Sequence, residues 1–400
     1  MKDRIKSRLS KLKSKQIDLF KDFIESEKSA GYILIALTAV SIILANSSIG
    51  SEYINLWKSY VNLSFSEIQL NYSIEHWIND GLMVIFFLLV GLEIEREIYV
   101  GELSSIKKAS LPIFAAIGGM IVPATIHFLF NNGTPTQRGF GIPMATDIAF
   151  ALGILSLLGN KVPLTLKIFL TALAIIDDLG AIIVIAIFYT NDLSIIYLSS
   201  SLVVFVLLLL MNRLKVNKLA PYLFLGVIMW YLMLKSGVHA TISGVLLAFA
   251  IPFNKNKDLN ISYTLQEKLH KPVAFFILPL FALANTAILL PESIIGSMST
   301  MNSLGILLGL FIGKPLGIFL FSYFAVLLSF SQLPVNINWK LILGAASLAG
   351  IGFTMSIFIT NLAFSDNLVI VSSKLSIIIA STLSAIVGLI FLKNVTKSSI

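Results

Sequence analysis

LTLKIFLTALAIIDDLGAIIVIAIFY, residues 164–189, carries two adjacent aspartates, Asp177 and Asp178, in the middle of an otherwise apolar run. About 20 apolar residues suffice to cross the roughly 30 Å hydrocarbon core of a bilayer, so this stretch reads as a transmembrane helix. A carboxylate at a helix centre costs about 2.5–3.5 kcal/mol on insertion scales. A pair of them at that depth is there to bind something charged. The two are neighbours on a helix, about 100° apart, so both can edge one cavity without facing the same partner squarely.

Working outward, two more charges, Asp147 and Lys314, sit inside other apolar runs. Such runs lie near 31–47, 77–95, 109–130, 141–159, 164–190, 194–212, 219–235, 237–253, 273–290, 303–328, 341–363 and 368–392. The expected fold is therefore an all-α membrane protein of about twelve transmembrane helices. The composition agrees: 56% of the 400 residues are hydrophobic and 12% charged, against about 25% charged in soluble domains. With no cysteine, disulfides, thiolate metal sites and Cys nucleophiles are excluded. The four histidines show no metal-ligand spacing.

A net charge of +8 could suggest nucleic acid, but its distribution points to a membrane. With the N-terminus placed in the cytoplasm, Lys58, Arg138, Lys235 and Lys374 fall outside and Lys314 within a run; the rest of the 29 Lys and Arg fall inside. This bias supports twelve spans with both termini cytoplasmic. Residues 1–30 read as a basic amphipathic segment, lying on an anionic leaflet or simply fixing topology. They carry no signal-peptide cleavage pattern. Residues 31–393 form a single transmembrane domain, and 394–400 a short cytoplasmic tail. Outside, residues 60–73, YVNLSFSEIQLNYS, alternate apolar and polar, the period of a β-hairpin, whose open edge could pair with a second copy.

Two runs hold helix breakers. GIPMATD, 141–147, brings Gly141 and Pro143 next to Thr146 and Asp147; GAASLAGIGFTMS, 344–356, brings Gly344, Gly350 and Gly352 next to Thr354 and Ser356. Backbone freed at membrane depth must line a cavity or be covered by protein. Spans three to five and ten to twelve would then be inverted-topology repeats, with two discontinuous helices crossing at the midplane. Oxygens of Asp177, Asp178 and Thr146 are hard ligands suited to Na⁺ or Li⁺. Lys314 must find a carboxylate across the bundle, Asp147 or Asp177.

The ordered motifs ANS (45–47), WINDGLM (77–83), GLEIERE (91–97), PMATDIAFALGIL (143–155), FLTALAIIDDLGAI (169–182), SGVHATISGV (236–245), LPLFALANT (278–286), GKPLGI (313–318) and LAGIGFTMSIFI (348–359) resemble those of the NhaA-type sodium/proton antiporters. The resemblance implies a multi-pass antiporter of the bacterial inner membrane and a homodimer joined through residues 48–75. It implies a cation and proton site at Asp177 and Asp178, with Thr146 and Asp147 on the crossing helices and Lys314 compensating charge. It implies a pH response at Glu93, Arg96, Glu97, Glu267 and Lys268, and a family match at His239, although a lone histidine at a helix start reads slightly better as packed and hydrogen-bonded. Glu95 stands where a Lys is more usual, and 266–270 reads Gln-Glu-Lys-Leu-His where Glu-His is common.

The expected function is thus exchange of Na⁺ or Li⁺ for protons by alternating access, electrogenic and activated at alkaline pH, with no cofactor and no enzymatic activity. A sodium-coupled symporter is the alternative, although no polar cluster suggests an organic substrate. An intramembrane aspartyl protease would use Asp147 and Asp177 but lacks the Gly-x-Gly-Asp pattern and leaves Asp178 and Lys314 unexplained. A channel suits rings of like charge rather than four unlike ones.

Overall fold

A computed structural model of the chain describes residues 29–66, 68–190, 193–254 and 260–397. The predicted basic segment 1–30 lies outside the described residues except for Ser29 and Ala30, which begin the first helix, α1 (Ser29–Ala45). A bend of 113° leads into α2 (Gly50–Lys58). The predicted hairpin follows as β1 (Tyr60–Asn62) and β2 (Asn71–Ser73), antiparallel with Val61 opposite Tyr72.

The helices continue as α3 (Ile74–Val100), α4 (Ile106–Asn131), a 3-10 helix at Pro135–Met144, α5 (Ile148–Ser156), α6 (Leu164–Phe188), α7 (Ile195–Arg213) and α8 (Leu219–Ser236). Gly237, at φ 83°, takes the left-handed conformation that ends α8 and turns the chain into α9 (Ile242–Ala250). Next come α10 (Ile261–Pro272), a π-helical turn at Val273–Ile277 and α11 (Leu278–Asn285). Then follow α12 (Met301–Leu327), α13 (Trp339–Ala349), α14 (Phe353–Ala363) and α15 (Asn367–Lys397).

Seven of these helices are long and apolar enough to cross a membrane, or ten if each sharply bent pair is one span. The sequence count of twelve parts from this at two places. The run 237–253 yields a helix of only nine residues, α9, about 14 Å long at 1.5 Å per residue. The run 273–290 begins inside a helix whose first turns, α10, are polar.

Two pairs of helices approach each other closely. In one, α4 meets α12 backbone to backbone: a Cβ on Gly118 would lie 2.2 Å from Gly317 O, and one on Gly317 2.1 Å from Gly118 O. In the other, a Cβ on Gly244 of α9 would lie 2.3 Å from Val84 O of α3. Lipid tails give helices no hydrophobic drive to associate, so close van der Waals approach at small residues takes its place. A second apolar cluster, including Leu88, Leu92, Leu208, Tyr222 and Met229, ties α3, α7 and α8 together.

Candidate functional site

The site is built where two broken helices meet. The 3-10 helix Pro135–Met144 and α5 are bent by 42°, and α13 and α14 by 46°. The sequence put the first break in 141–147, and the turn falls within it, at Ala145–Asp147, with Pro143 inside the 3-10 helix. The second falls at Gly350–Gly352 as expected. The two breaks bind each other. Asp147 N donates to Ile351 O at 2.7 Å, Thr146 Oγ1 to Ala349 O at 3.0 Å, and Ser356 Oγ to Ile142 O at 2.7 Å.

Each break leaves one positive and one negative helix end in the protein interior. Asp147 serves both positive ends. Its Oδ1 accepts from Phe150 N of α5 at 3.0 Å, and its Oδ2 accepts from Thr354 N of α14 at 3.0 Å and from Thr354 Oγ1. Lys314 serves a negative end, donating to Met144 O, while Thr146 holds Ala349 O. Helix α12 brings Lys314 there through a π-helical turn at Gly309–Gly313. Its glycines admit close neighbours: a Cβ on Gly309 would lie 2.7 Å from Pro143 Cβ.

Helix α6 supplies the carboxylates. Asp177 Oδ2 is 2.7 Å from Lys314 Nζ, with both side chains fully buried, and 2.7 Å from Thr146 Oγ1, whose single hydroxyl proton it shares with Ala349 O. Of the two aspartates the sequence offered Lys314, Asp177 is the one that pairs with it. Asp178 is equally buried. One oxygen of each aspartate, Asp177 Oδ1 and Asp178 Oδ1, is buried without a hydrogen-bond partner. Buried polar atoms are normally satisfied, and two orphan acceptors on adjacent carboxylates have the chemistry to take a proton or a cation. Among the described residues, no group of three or more His, Cys, Asp and Glu could hold a metal ion. A cation here would draw on two carboxylates and neutral oxygens, which suits a weakly held monovalent ion better than a resident metal.

Removing Asp147 exposes two helix ends at once. We expect Asp147→Ala to cost about 1–4 kcal/mol, twice the usual effect of one N-cap, read as a lower melting temperature in detergent. Asp147→Asn, which keeps acceptors at the same place, should retain most of the stability. Equal losses in the two variants would show that the caps contribute little. Lys314→Ala leaves Asp177 buried and unpaired, a loss of about 3–5 kcal/mol. Replacing Asp177 at the same time should restore part of it, and additive losses would argue against direct coupling.

The predicted pH-response residues gather around α3 and α10. Arg96 Nη2 pairs with Glu97 Oε1 at 2.9 Å, and Glu97 Oε2 accepts from Glu102 N at 2.9 Å. Glu267 is hydrogen-bonded by Tyr263, whose ring also feels Arg96. Lys268 is exposed. Glu93 lies on α3, one turn before Arg96 and Glu97. His239 lies apart, its Nε2 2.8 Å from Tyr189 O, packed and hydrogen-bonded as the plainer reading had it. Glu95 is buried and accepts from Ser262 Oγ at 2.9 Å, so the carboxylate in place of a Lys joins α3 to α10. The sequence missed the carbonyls of Met144, Ala349 and Ile351 as partners, because backbone oxygens leave no signature in side-chain identity.

Residues 21–392 match the family described as Na⁺/H⁺ antiporter 1. The chain is 60% identical over 382 residues to a protein named Na⁺/H⁺ antiporter NhaA from Flavobacterium psychrophilum, covering 96% of this chain and 97% of the relative. It is 57% identical over 383 residues to the protein of that name from Cytophaga hutchinsonii, with 96% and 97% covered. It is 56% identical over 377 residues to the one from Dechloromonas aromatica, with 93% and 95% covered.

Proposed function

We propose a mechanism from one premise: the chain belongs to the Na⁺/H⁺ antiporter 1 family, whose match runs almost end to end. Family and membrane helices together support Na⁺/H⁺ exchange as the activity of this multi-pass protein. Asp177 and Asp178 bind the cation and release the protons. Thr146 Oγ1 adds a neutral oxygen. Asp147 and Lys314 are fixed charges that hold the crossing together. The observation that carries this reading is the pair of orphan oxygens on two fully buried, adjacent carboxylates.

Exchange follows from competition. Two ionised carboxylates this close repel, and either protons or one cation relieves the repulsion. When Na⁺ enters, both carboxylates ionise and turn their oxygens to the ion, so the protons they held leave and the contact of Asp177 with Lys314 loosens. If about two protons move per Na⁺, each cycle carries one net charge, worth about 2.3 kcal/mol per 100 mV. Li⁺, smaller and equally hard, is the other cargo. Alternating access brings the site to one face and then the other by rocking two bodies, one with α3 and α11 and the other with α13, α14 and α15, along the seam between them. In this reading the bodies contain inverted repeats. The crossings number twelve, α9 with its flanking turns and the α10–α11 helix completing the ten. Domain limits fall at residues 30 and 393, and both termini lie in the cytoplasm of a bacterium, with the protein in its inner membrane. The exposed edge of the hairpin, with Tyr60, Leu63 and Phe65 open, joins two copies into a homodimer across residues 48–75.

The test is a proteoliposome assay that follows internal pH on adding Na⁺, Li⁺ or K⁺ at several external pH values. Proton efflux driven by Na⁺ and Li⁺ but not by K⁺ is expected, with a membrane potential that follows the ion gradient. Movement of protons only with an organic solute, or a cation and protons moving in the same direction, would favour a symporter.

A further inference from the structure

A second buried charge sits far from the aspartates. Lys374, in the third turn of α15, is 5% exposed; the sequence count had placed it in an outside segment. Its Nζ lies 3.8 Å from Glu75 Oε1 on α3 and 3.5 Å from Asn285 Oδ1 at the end of α11. Asn285 is the hub. Its Nδ2 donates to Asn79 Oδ1 of α3 at 2.9 Å, and its Oδ1 accepts from Asn361 Nδ2 on the last turn of α14.

This knot ties α3 and α11 to α14 and α15, so in the alternating-access reading it crosses the seam between the two bodies. Glu75, Asn79 and Asn285 belong to α3 and α11; Asn361 and Lys374 belong to α14 and α15, which pack with α13 and the crossing. It also connects directly to the ion site. Helix α14 begins at Thr354's grip on Asp147 and reaches Asn361 seven residues later, about 10 Å along its axis. Below the knot the seam is apolar: Phe87 of α3 packs on Phe358 of α14 with ring centroids 5.3 Å apart, and Phe281 on Phe358 at 6.4 Å. Glu75 follows β2 by two residues, so the knot marks the hairpin face. An ion pair and three amides inside a membrane domain are costly to separate, and they separate whenever the bodies part on this side.

We infer that Lys374, Glu75, Asn285 and Asn361 form the latch of the hairpin-side gate, closed here, whose opening admits ions to Asp177 and Asp178 from that side. This rests on the alternating-access reading above. Lys374 and Asn285 are then positioning residues for exchange, acting through α14 on a site they do not touch.

The chain has no cysteine, so a single reporter suffices. Thr360→Cys sits on α14 between the crossing and Asn361, fully buried with one local hydrogen bond. The full-length protein in oriented proteoliposomes is treated with a membrane-impermeant maleimide from each side, with and without a Na⁺ gradient. Lys374→Met and Asn285→Leu should each speed labelling from the hairpin side about tenfold, the shift that about 1.4 kcal/mol of lost coupling gives. Labelling from the other side should stay unchanged. The exchanged pair Glu75→Lys with Lys374→Glu should restore slow labelling. Labelling that follows the Na⁺ gradient in the parent but ignores these variants overturns the latch and leaves alternating access standing. Labelling deaf to both gradient and variants overturns the two together. Faster labelling from both sides with a fallen melting temperature and no rescue by the exchanged pair reduces the knot to structural glue.

Discussion

Asp178→Asn is expected to abolish Na⁺-driven proton movement in proteoliposomes, by two orders of magnitude or more, while leaving insertion and the melting temperature close to those of the parent. The two expectations have separate causes. Asp178 contributes a charge and an orphan oxygen at the crossing, and the amide can neither release a proton nor neutralise a cation. A hundredfold loss corresponds to about 2.8 kcal/mol, a modest figure for a cation deprived of one of two anionic ligands in a water-poor interior. Stability should hold because the buried ion pair of the site belongs to Asp177 and Lys314. Asp177→Asn should therefore differ in kind: activity falls as far, and the melting temperature falls too, since Lys314 keeps its charge and loses its counter-ion. Near-parental exchange by either variant would remove that residue from the coupling site. Identical melting temperatures for the two would remove Lys314 from the account of stability.

The apparent affinity for Na⁺ should rise steeply with pH. Carboxylates must be ionised to take the cation, so protons compete for the same atoms. Below the pH at which the pair titrates, each proton displaced per ion improves the apparent affinity about tenfold per pH unit, and two protons up to about a hundredfold. Activity is accordingly low in acid and climbs toward alkaline pH. The curve belongs to the coupled pair rather than to one aspartate. Changes at Glu93, Arg96, Glu97, Glu267 and Lys268 should move its midpoint through the field they set, without stopping exchange. His239→Ala and His270→Ala should leave its shape intact. The measurement is the Na⁺ concentration for half-maximal exchange at each pH. A value independent of pH would end the competition mechanism, and a profile flattened by the two histidine changes would hand the response to histidine protonation.

Much of this was legible in the sequence, and for a physical reason. Whether a segment prefers lipid depends on the sum of its own residues, so the apolar runs mark the membrane helices without reference to any neighbour. The penalty on a charge in hydrocarbon is likewise local, which is why Asp147, Asp177, Asp178 and Lys314 stood out. The alternation of 60–73 gave the hairpin, because a strand's period is written in consecutive residues. Contacts between segments far apart in the chain are of another kind. Nothing near Lys314 names Asp177, 137 positions away, over Asp147. Nothing near Asp147 tells that it caps two helices, one of them 207 positions on. The nine-residue α9 and the Lys374 knot escaped because hydropathy counts residues, whereas helix ends and burial depend on which neighbours cover them. Sequence determined the solvent this chain lives in and the charges it carries there; only the packing of the two broken helices decided which charge faces which, because that choice is made by distance in space.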